Sequence, residues 1–225
     1  MNFYRNKLNS KKYFSLLKFN FSKKFILENT GMLAGDKSLY RNIKMIELIQ
    51  SLRNVKGDII EFGIWNGNNL FFIKKIIDYY KLKKKVIGYD NFSGFPNPGK
   101  LKKSKKGKYV GKPELIKKII KFFNLKNINI INDDILNLDK YSKKFKKISL
   151  IYIDCNVYDP VKKILETFDK KISEGGIIAF DEAQNSKNKD ENRAMMQFLK
   201  KNKKKYKLVK LKRNYQPDAI LIKKH

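Results

Sequence analysis

The sequence is almost without cysteine and histidine: Cys155 is its only cysteine, and the last residue, His225, is its only histidine. A lone cysteine rules out an internal disulfide and suits a reducing compartment, so a cytoplasmic location is expected. A lone terminal histidine leaves no basis for a histidine-built metal cluster or a buried Ser-His-Asp triad. Chemistry must come from carboxylates, amides, hydroxyls or a cofactor. Long apolar runs are missing too. A membrane-spanning helix needs roughly 20 apolar residues, and the run Phe71 to Ile77 is broken by Lys74 and Lys75. With 42% apolar residues in 225, the chain is long enough for one α/β domain with a full core.

Acids are scarce relative to bases: 21 Asp+Glu stand against 52 Lys+Arg, for a formal net charge of +31. Such a balance suggests a polyanionic partner. Arginine is nearly absent from it, however. Only Arg5, Arg41, Arg53, Arg193 and Arg213 occur, which leaves 47 lysines. Nucleic-acid sites favour Arg for bidentate contacts, and abundant Lys, Asn and Ile fit an AT-rich genome in which Lys fills tolerant surface sites. The charge should still favour an anionic small-molecule acceptor, such as a nucleotide-linked sugar.

Residues 1–27 carry seven basic residues, no acid and interleaved aromatics. They read as a helical cap, with a dimer arm or a peripheral membrane contact as alternatives; the division expected is an N-terminal extension over 1–37 and one domain over 38–225. Helical spacing of Leu39, Ile43, Ile46, Ile49 and Leu52 predicts an amphipathic helix over 38–53. An alternation follows: strands at 58–64, 85–90, 128–132, 148–154 and 177–181, and helices at 68–81, 113–124, 160–171 and 190–203. Two strands, 206–211 and 218–222, close the chain around a short turn. This pattern predicts a Rossmann-like, mostly parallel seven-stranded sheet with helices on both faces and an antiparallel end.

Ligands of such sheets bind beyond the carboxyl ends of the strands. The first junction is Glu61-Phe62-Gly63-Ile64-Trp65-Asn66-Gly67. Trp65 stands where a dinucleotide fold needs a second Gly. An acid at Glu61 suits a cationic ligand instead, and S-adenosylmethionine carries an ammonium and a sulfonium but no phosphate. Gly63 and Gly67 would let the backbone approach it. Asp90 ends the second strand and can accept from ribose hydroxyls. Asp134, with Asp133 beside it, is the candidate for the adenine amino group.

The fourth strand ends in Asp154-Cys155-Asn156, and the fifth in Asp181-Glu182. If these strands are neighbours, their tips lie roughly 5 Å apart, and Asp154, Asp181 and Glu182 could converge. Like charges so close call for a cation, and oxygen ligands favour Mg²⁺, with Mn²⁺ or Ca²⁺ as alternatives. Such a metal would bind the acceptor hydroxyl and lower its pKa.

These stretches, together with Gly88-Tyr89-Asp90-Asn91-Phe92-Ser93-Gly94-Phe95-Pro96 and Gly175-Gly176-Ile177-Ile178-Ala179-Phe180-Asp181-Glu182, resemble the macrocin O-methyltransferase family. That family includes the mycinamicin and novobiocin sugar methyltransferases. The resemblance runs over roughly residues 28–205 and implies a class I, S-adenosylmethionine-dependent and Mg²⁺-dependent methylation of sugar hydroxyls on antibiotics or glycans. It implies Asp154, Asp181 and Glu182 as metal ligands and Asp90 as the ribose acceptor. Thr30 and Met32 resemble a segment that folds over the cofactor, and Glu191-Asn192-Arg193-Ala194 either serves the acceptor side or starts a helix. Asn156 stands where the family usually has an Asp that is the base in some members. Glu182, Asp159 or a metal-bound hydroxide is left for that role, or turnover is altered or lost. An RNA methyltransferase, gripping phosphates through Lys100–Lys112, and a non-catalytic ligand-binding relative are the competing readings.

Overall fold

The computed structural model describes residues 21–30, 34–95, 109–184 and 189–224. Most of the basic N-terminal extension, Met32, Pro96, most of the Lys100–Lys112 loop and His225 lie outside the described residues. Seven strands form one sheet: β1 (Asp58–Phe62), β2 (Val86–Asp90), β3 (Ile128–Asn132), β4 (Ile148–Ile153), β5 (Ile172–Phe180), β6 (Tyr206–Lys210) and β7 (Ala219–Lys223). Their order across the sheet is β3-β2-β1-β4-β5-β7-β6. All neighbours run parallel except β7, which is antiparallel to both β5 and β6. The Rossmann-like methyltransferase architecture expected from the strand–helix alternation is the one found.

The helices are α1 (Lys23–Glu28), α2 (Asp36–Ser51), α3 (Asn68–Tyr79), α4 (Pro113–Phe122), α5 (Asp139–Ser142), α6 (Tyr158–Phe168) and α7 (Asp190–Asn202). Because α2 starts at Asp36, the division expected after residue 37 falls inside its first turn. Pro113 opens α4, where a missing N–H costs nothing. Every residue of β4 is buried, as a central parallel strand covered on both faces requires. Alternation along the strands splits the core into two layers. Ile60, Phe62, Ile151, Ile153, Ile178 and Phe180 face α6 and α7. Ile59, Leu150, Tyr152, Ile177 and Ala179 face α2 and α3.

Two elements differ from their sequence expectation. The helix expected over 160–171 is α6, ending at Phe168, followed by a single 3-10 turn, Asp169–Lys171. The fifth strand begins at Ile172, so Glu174-Gly175-Gly176 lies within it rather than before it. Its pairing with β4 jumps from Ile148↔Ile172 to Leu150↔Ile177. Gly175, at φ +72°, absorbs that bulge.

The chain runs outward from β1 through β2 to β3, then returns to place β4 on the other side of β1. This reversal opens a crevice at the carboxyl ends of β1 and β4. Gly63 closes its floor. It sits at φ +85°, and a methyl group there would lie 2.1 Å from the Asp154 carbonyl oxygen. The glycine is therefore needed for strand packing. Gly63→Ala is expected to cost about 2 kcal/mol or more from backbone strain alone, read as a lowered midpoint of urea unfolding; an unchanged midpoint would contradict the packing described.

Candidate functional site

The acids at the carboxyl edge are placed by the sheet itself. Backbone rungs continue one residue beyond each strand: Asp133 N–H donates to Asp90 O at 3.2 Å, Asp154 N–H to Phe62 O at 2.8 Å, Asp181 N–H to Ile153 O at 3.0 Å and Asp218 N–H to Phe180 O at 3.1 Å. A row of carboxyl groups thus crowns the sheet at the spacing of neighbouring strands. The cleft over this row has a volume of about 400 Å³, within the range of small-molecule sites. Five carboxylates line it (Asp90, Asp134, Asp154, Asp181 and Glu182), and Arg41 is the one basic residue among the described lining.

Of the residues singled out from sequence, Gly63, Trp65, Asp90, Asp134, Asp154, Asn156, Asp181 and Glu182 all reach this wall. Trp65 lies at its rim, 45% exposed, with its indole N–H donating to Val110 O at 3.2 Å. Its backbone, at φ +47°, turns its N–H onto Asp90 Oδ2 at 2.7 Å. Asp90 Oδ1 accepts from Phe92 N–H at 2.7 Å. These backbone donors fix the carboxylate at the cleft wall. Asp134 caps a short 3-10 turn, Ile135–Asn137, through Leu136 N–H at 2.8 Å and faces the cleft. Asp133 does not: Asn137, Tyr141 and the Asp134 N–H occupy its oxygens.

Two candidates lie behind the wall rather than on it. Gly67, at φ +79°, caps α3 and packs against Phe71 and Ile116. Glu61 points to the α3 face of the sheet, because strand alternation sends Ile60 and Phe62 to the other face. It is 2% exposed and accepts from Asn69 Nδ2 at 3.1 Å. Glu61 Oε2, Asn66 Oδ1 and Asn69 Oδ1 are all buried without a partner among the described residues. Burial pushes the Glu61 carboxyl up from 4.5 to about 8.

The catalytic face is more congested than expected. Asp181 is 1% exposed. Its Oδ1 accepts from Tyr152 Oη at 2.5 Å and from Arg41 Nη2 at 3.3 Å. Its Oδ2 accepts from the Gln216 amide, which also reaches Glu182 Oε1 at 3.3 Å. Asp154 lies within hydrogen-bonding reach of Asp181. Desolvation, then repulsion from Asp181, pushes the Asp154 carboxyl well above the ordinary range. Burial raises Asp181 to about 6, with Arg41 opposing. Among the described residues, no three acids gather in the geometry of a metal cage. Their oxygen chemistry suits Mg²⁺, but as placed Asp181 Oδ1 is taken by Tyr152 and Arg41, Oδ2 accepts from Gln216, and the Arg41 guanidinium stands against the carboxylate where a cation would sit. The arrangement does not fit a divalent cation.

Asn156, at φ +58°, sits in a left-handed conformation that Asn tolerates, and its amide donates to Asp154 Oδ1 at 3.3 Å. Glu191 is fully buried in the first turn of α7 and accepts from Glu182 N–H at 3.0 Å, which holds the Asp181-Glu182 turn. Sequence reasoning missed Arg41, Gln216 and Tyr152. Arg41 carried a usable signal, as one of five arginines kept among 47 lysines. Gln216 carried none.

Comparison with known proteins agrees with this geometry. The model of the family described as macrocin-O-methyltransferase (TylF) matches residues 29–213. The calicheamicin methyltransferase CalS11 shares the fold with a TM-score of 0.78, at 22% identity over 95% of this chain and 90% of its own. An apo structure of CalS11, described as a TDP-rhamnose 3'-O-methyltransferase, gives a TM-score of 0.72 at 22% identity over 95% and 91%. The O-methyltransferase NovP gives 0.66 at 16% identity over 85% and 81%. No curated protein matches the chain. With the family match spanning most of the sequence and the cleft at the expected switch in strand order, the chain belongs to the macrocin O-methyltransferase family and is an S-adenosylmethionine-dependent O-methyltransferase.

Proposed function

We propose that this protein methylates a hydroxyl of a sugar carried on a nucleotide, a glycan or a glycosylated metabolite. The observation that carries this reading is the acceptor-rich cleft at the β1/β4 switch point, five carboxylates against a single guanidinium. It is supported by the family match and by a structural neighbour described as acting on TDP-rhamnose. The same wall gives an anionic acceptor little support apart from Arg41.

The residues present fit the cofactor. Glu61 Oε2 and Asn69 Oδ1, on side chains joined by a hydrogen bond, are buried acceptors without a donor among the described residues, as is Asn66 Oδ1, and an ammonium group reaching them would satisfy them. Asp90 would hold the ribose hydroxyls, and Asp134 the adenine amino group. When bound, the cofactor supplies an electrophilic methyl group. The chain must then align the acceptor hydroxyl and take its proton. Asp154 is placed for this: it lines the cleft, and Asn156 orients it by a donated hydrogen bond that a second carboxylate could not make. Burial and Asp181 favour the protonated form of Asp154; positive charge in the cleft favours the carboxylate, which then accepts the hydroxyl proton at its Oδ. Glu182 and Gln216 line the same cleft. Magnesium dependence, expected from the resemblance, is left out of this reading because the Arg41 guanidinium already lies against Asp181.

Glu61 links cofactor binding to protons. With its pKa raised from 4.5 to about 8, the empty protein binds more protons at Glu61 than the unfolded chain does in that interval. The stabilisation from neutral Glu61 is complete below about pH 4.5 and is lost as pH rises towards about 8. Glu61→Gln should flatten this decline, by on the order of a few kcal/mol, in denaturant unfolding at pH 5, 7 and 8.5. An ammonium group beside Glu61 should release its proton. Cofactor titration by calorimetry at pH 7 in two buffers of different ionisation enthalpy should show more proton release in the native protein than in Glu61→Gln, where Asp154 is still left to release one; equal release in both would remove Glu61 from the site.

On the acceptor side, Asp154→Asn should lower methyl transfer to a responsive nucleotide-sugar by about 10²- to 10⁴-fold, the usual weight of a general base, with cofactor affinity changed only a few-fold. Asn156→Asp should not accelerate the reaction. It sets a new carboxylate beside Asp154 and should move the acidic limb of the rate profile to higher pH. A faster variant, or a full rate in Asp154→Asn, would show that the base lies elsewhere.

A further inference from the structure

The crown of the sheet gathers Asp154, Asp181 and Glu182, yet its compensating charge comes from α2. Arg41 Nη2 lies 3.3 Å from Asp181 Oδ1, across 140 residues of sequence. Its side chain is only 23% exposed, so the guanidinium is drawn well into the cleft wall. Gln216, from the β6–β7 turn, binds both sides of the contact. Its side-chain oxygen accepts from the same Arg41 nitrogen, while its amide donates to Asp181 Oδ2 and to Glu182 Oε1. Tyr152 fills the remaining approach to Asp181 Oδ1. A buried carboxylate held by a guanidinium and two further donors is neutralised and solvated by the protein itself.

We propose that Arg41, clamped by Gln216, is the resident counter-cation of this acidic cluster, and that it and a divalent cation exclude one another there. Both draw on the same Asp181 carboxylate, whose Oδ1 Arg41 and Tyr152 already occupy, and at such separations their charges repel strongly. A metal that enters must displace the guanidinium and break its contact with Gln216, which uncouples α2 and the β6–β7 turn from the crown. The idea shares its acids with the methyl-transfer reading but needs neither cofactor nor acceptor.

The test is a Mn²⁺ titration of the full chain without cofactor, following the electron paramagnetic resonance signal of free Mn²⁺. Arg41→Ala should bind Mn²⁺ at least about tenfold more tightly than the native protein, because one positive charge has left the site. Arg41→Lys, which keeps the charge, should stay near the native affinity. Gln216→Ala, which only loosens the clamp, should fall between. If Arg41→Ala does not fold, Arg41→Gln carries the same expectation. Equal or weaker Mn²⁺ binding by a folded charge-neutral variant overturns the proposal. Mg²⁺ should also raise the melting temperature of the neutral variant more than that of the native protein. A failure to find any methylated sugar would not move these readings, and a failure here would leave methyl transfer by Asp154 standing.

Discussion

Everything at the functional edge depends on burying several carboxyl groups side by side with one guanidinium among them. The sheet imposes this. Once Asp154, Asp181 and Asp218 each add a backbone rung beyond β4, β5 and β7, their side chains must share one crest. Buried like charges cannot all remain ionised. The protein answers in three ways. It places Arg41 and Tyr152 on Asp181. It leaves Glu61, Asp154 and Glu191 in environments that favour their neutral forms. It sets an amide, Asn156, where another acid would worsen the repulsion. The cost is a crest poised to stabilise positive charge, which is also what a sulfonium nucleoside offers.

Much of the fold was legible because it follows from short-range rules. Isoleucine-rich runs ending in acids mark parallel strands, and Pro113 marks a helix start. The reading faltered where tertiary pairing outweighed local chemistry. Glu174-Gly175-Gly176 looks like a turn, yet β4 offers a partner, so the segment becomes a bulged strand. The site shows the same division. Asp90, Asp134, Asp154, Asp181 and Glu182 sit at strand tips, and strand tips can be counted from sequence.

What sequence could not supply was orientation. Glu61 lies near Gly63 in the sequence, and only the period of two along β1 shows that it points to the α3 side, towards Asn69. Which face of the sheet opens to the ligand is decided by how α2 and α3 pack, and β1 alone does not encode that. Arg41 and Gln216 escaped for a different reason. They meet Asp181 across 140 and 35 residues, on elements with no motif of their own. Only the packing of α2 against α3, and the return of β7 beside β5, brings them to the crest.

The charge of the chain and the charge of the site have opposite signs, and this settles how the first should be weighed. A net charge of +31 predicts a polyanion-binding protein if it is read as a single number. The described cleft is instead dominated by carboxylates. Exposed lysines are screened by salt over a Debye length of about 8 Å at physiological ionic strength, whereas the buried crest is screened far less. A ligand in the cleft therefore responds chiefly to the few groups that touch it. Arg41 outweighs dozens of surface lysines there because it is the cation in contact with Asp181. By the same logic, loss of that one side chain should alter the cleft's affinity for cations more than extensive neutralisation of the surface would.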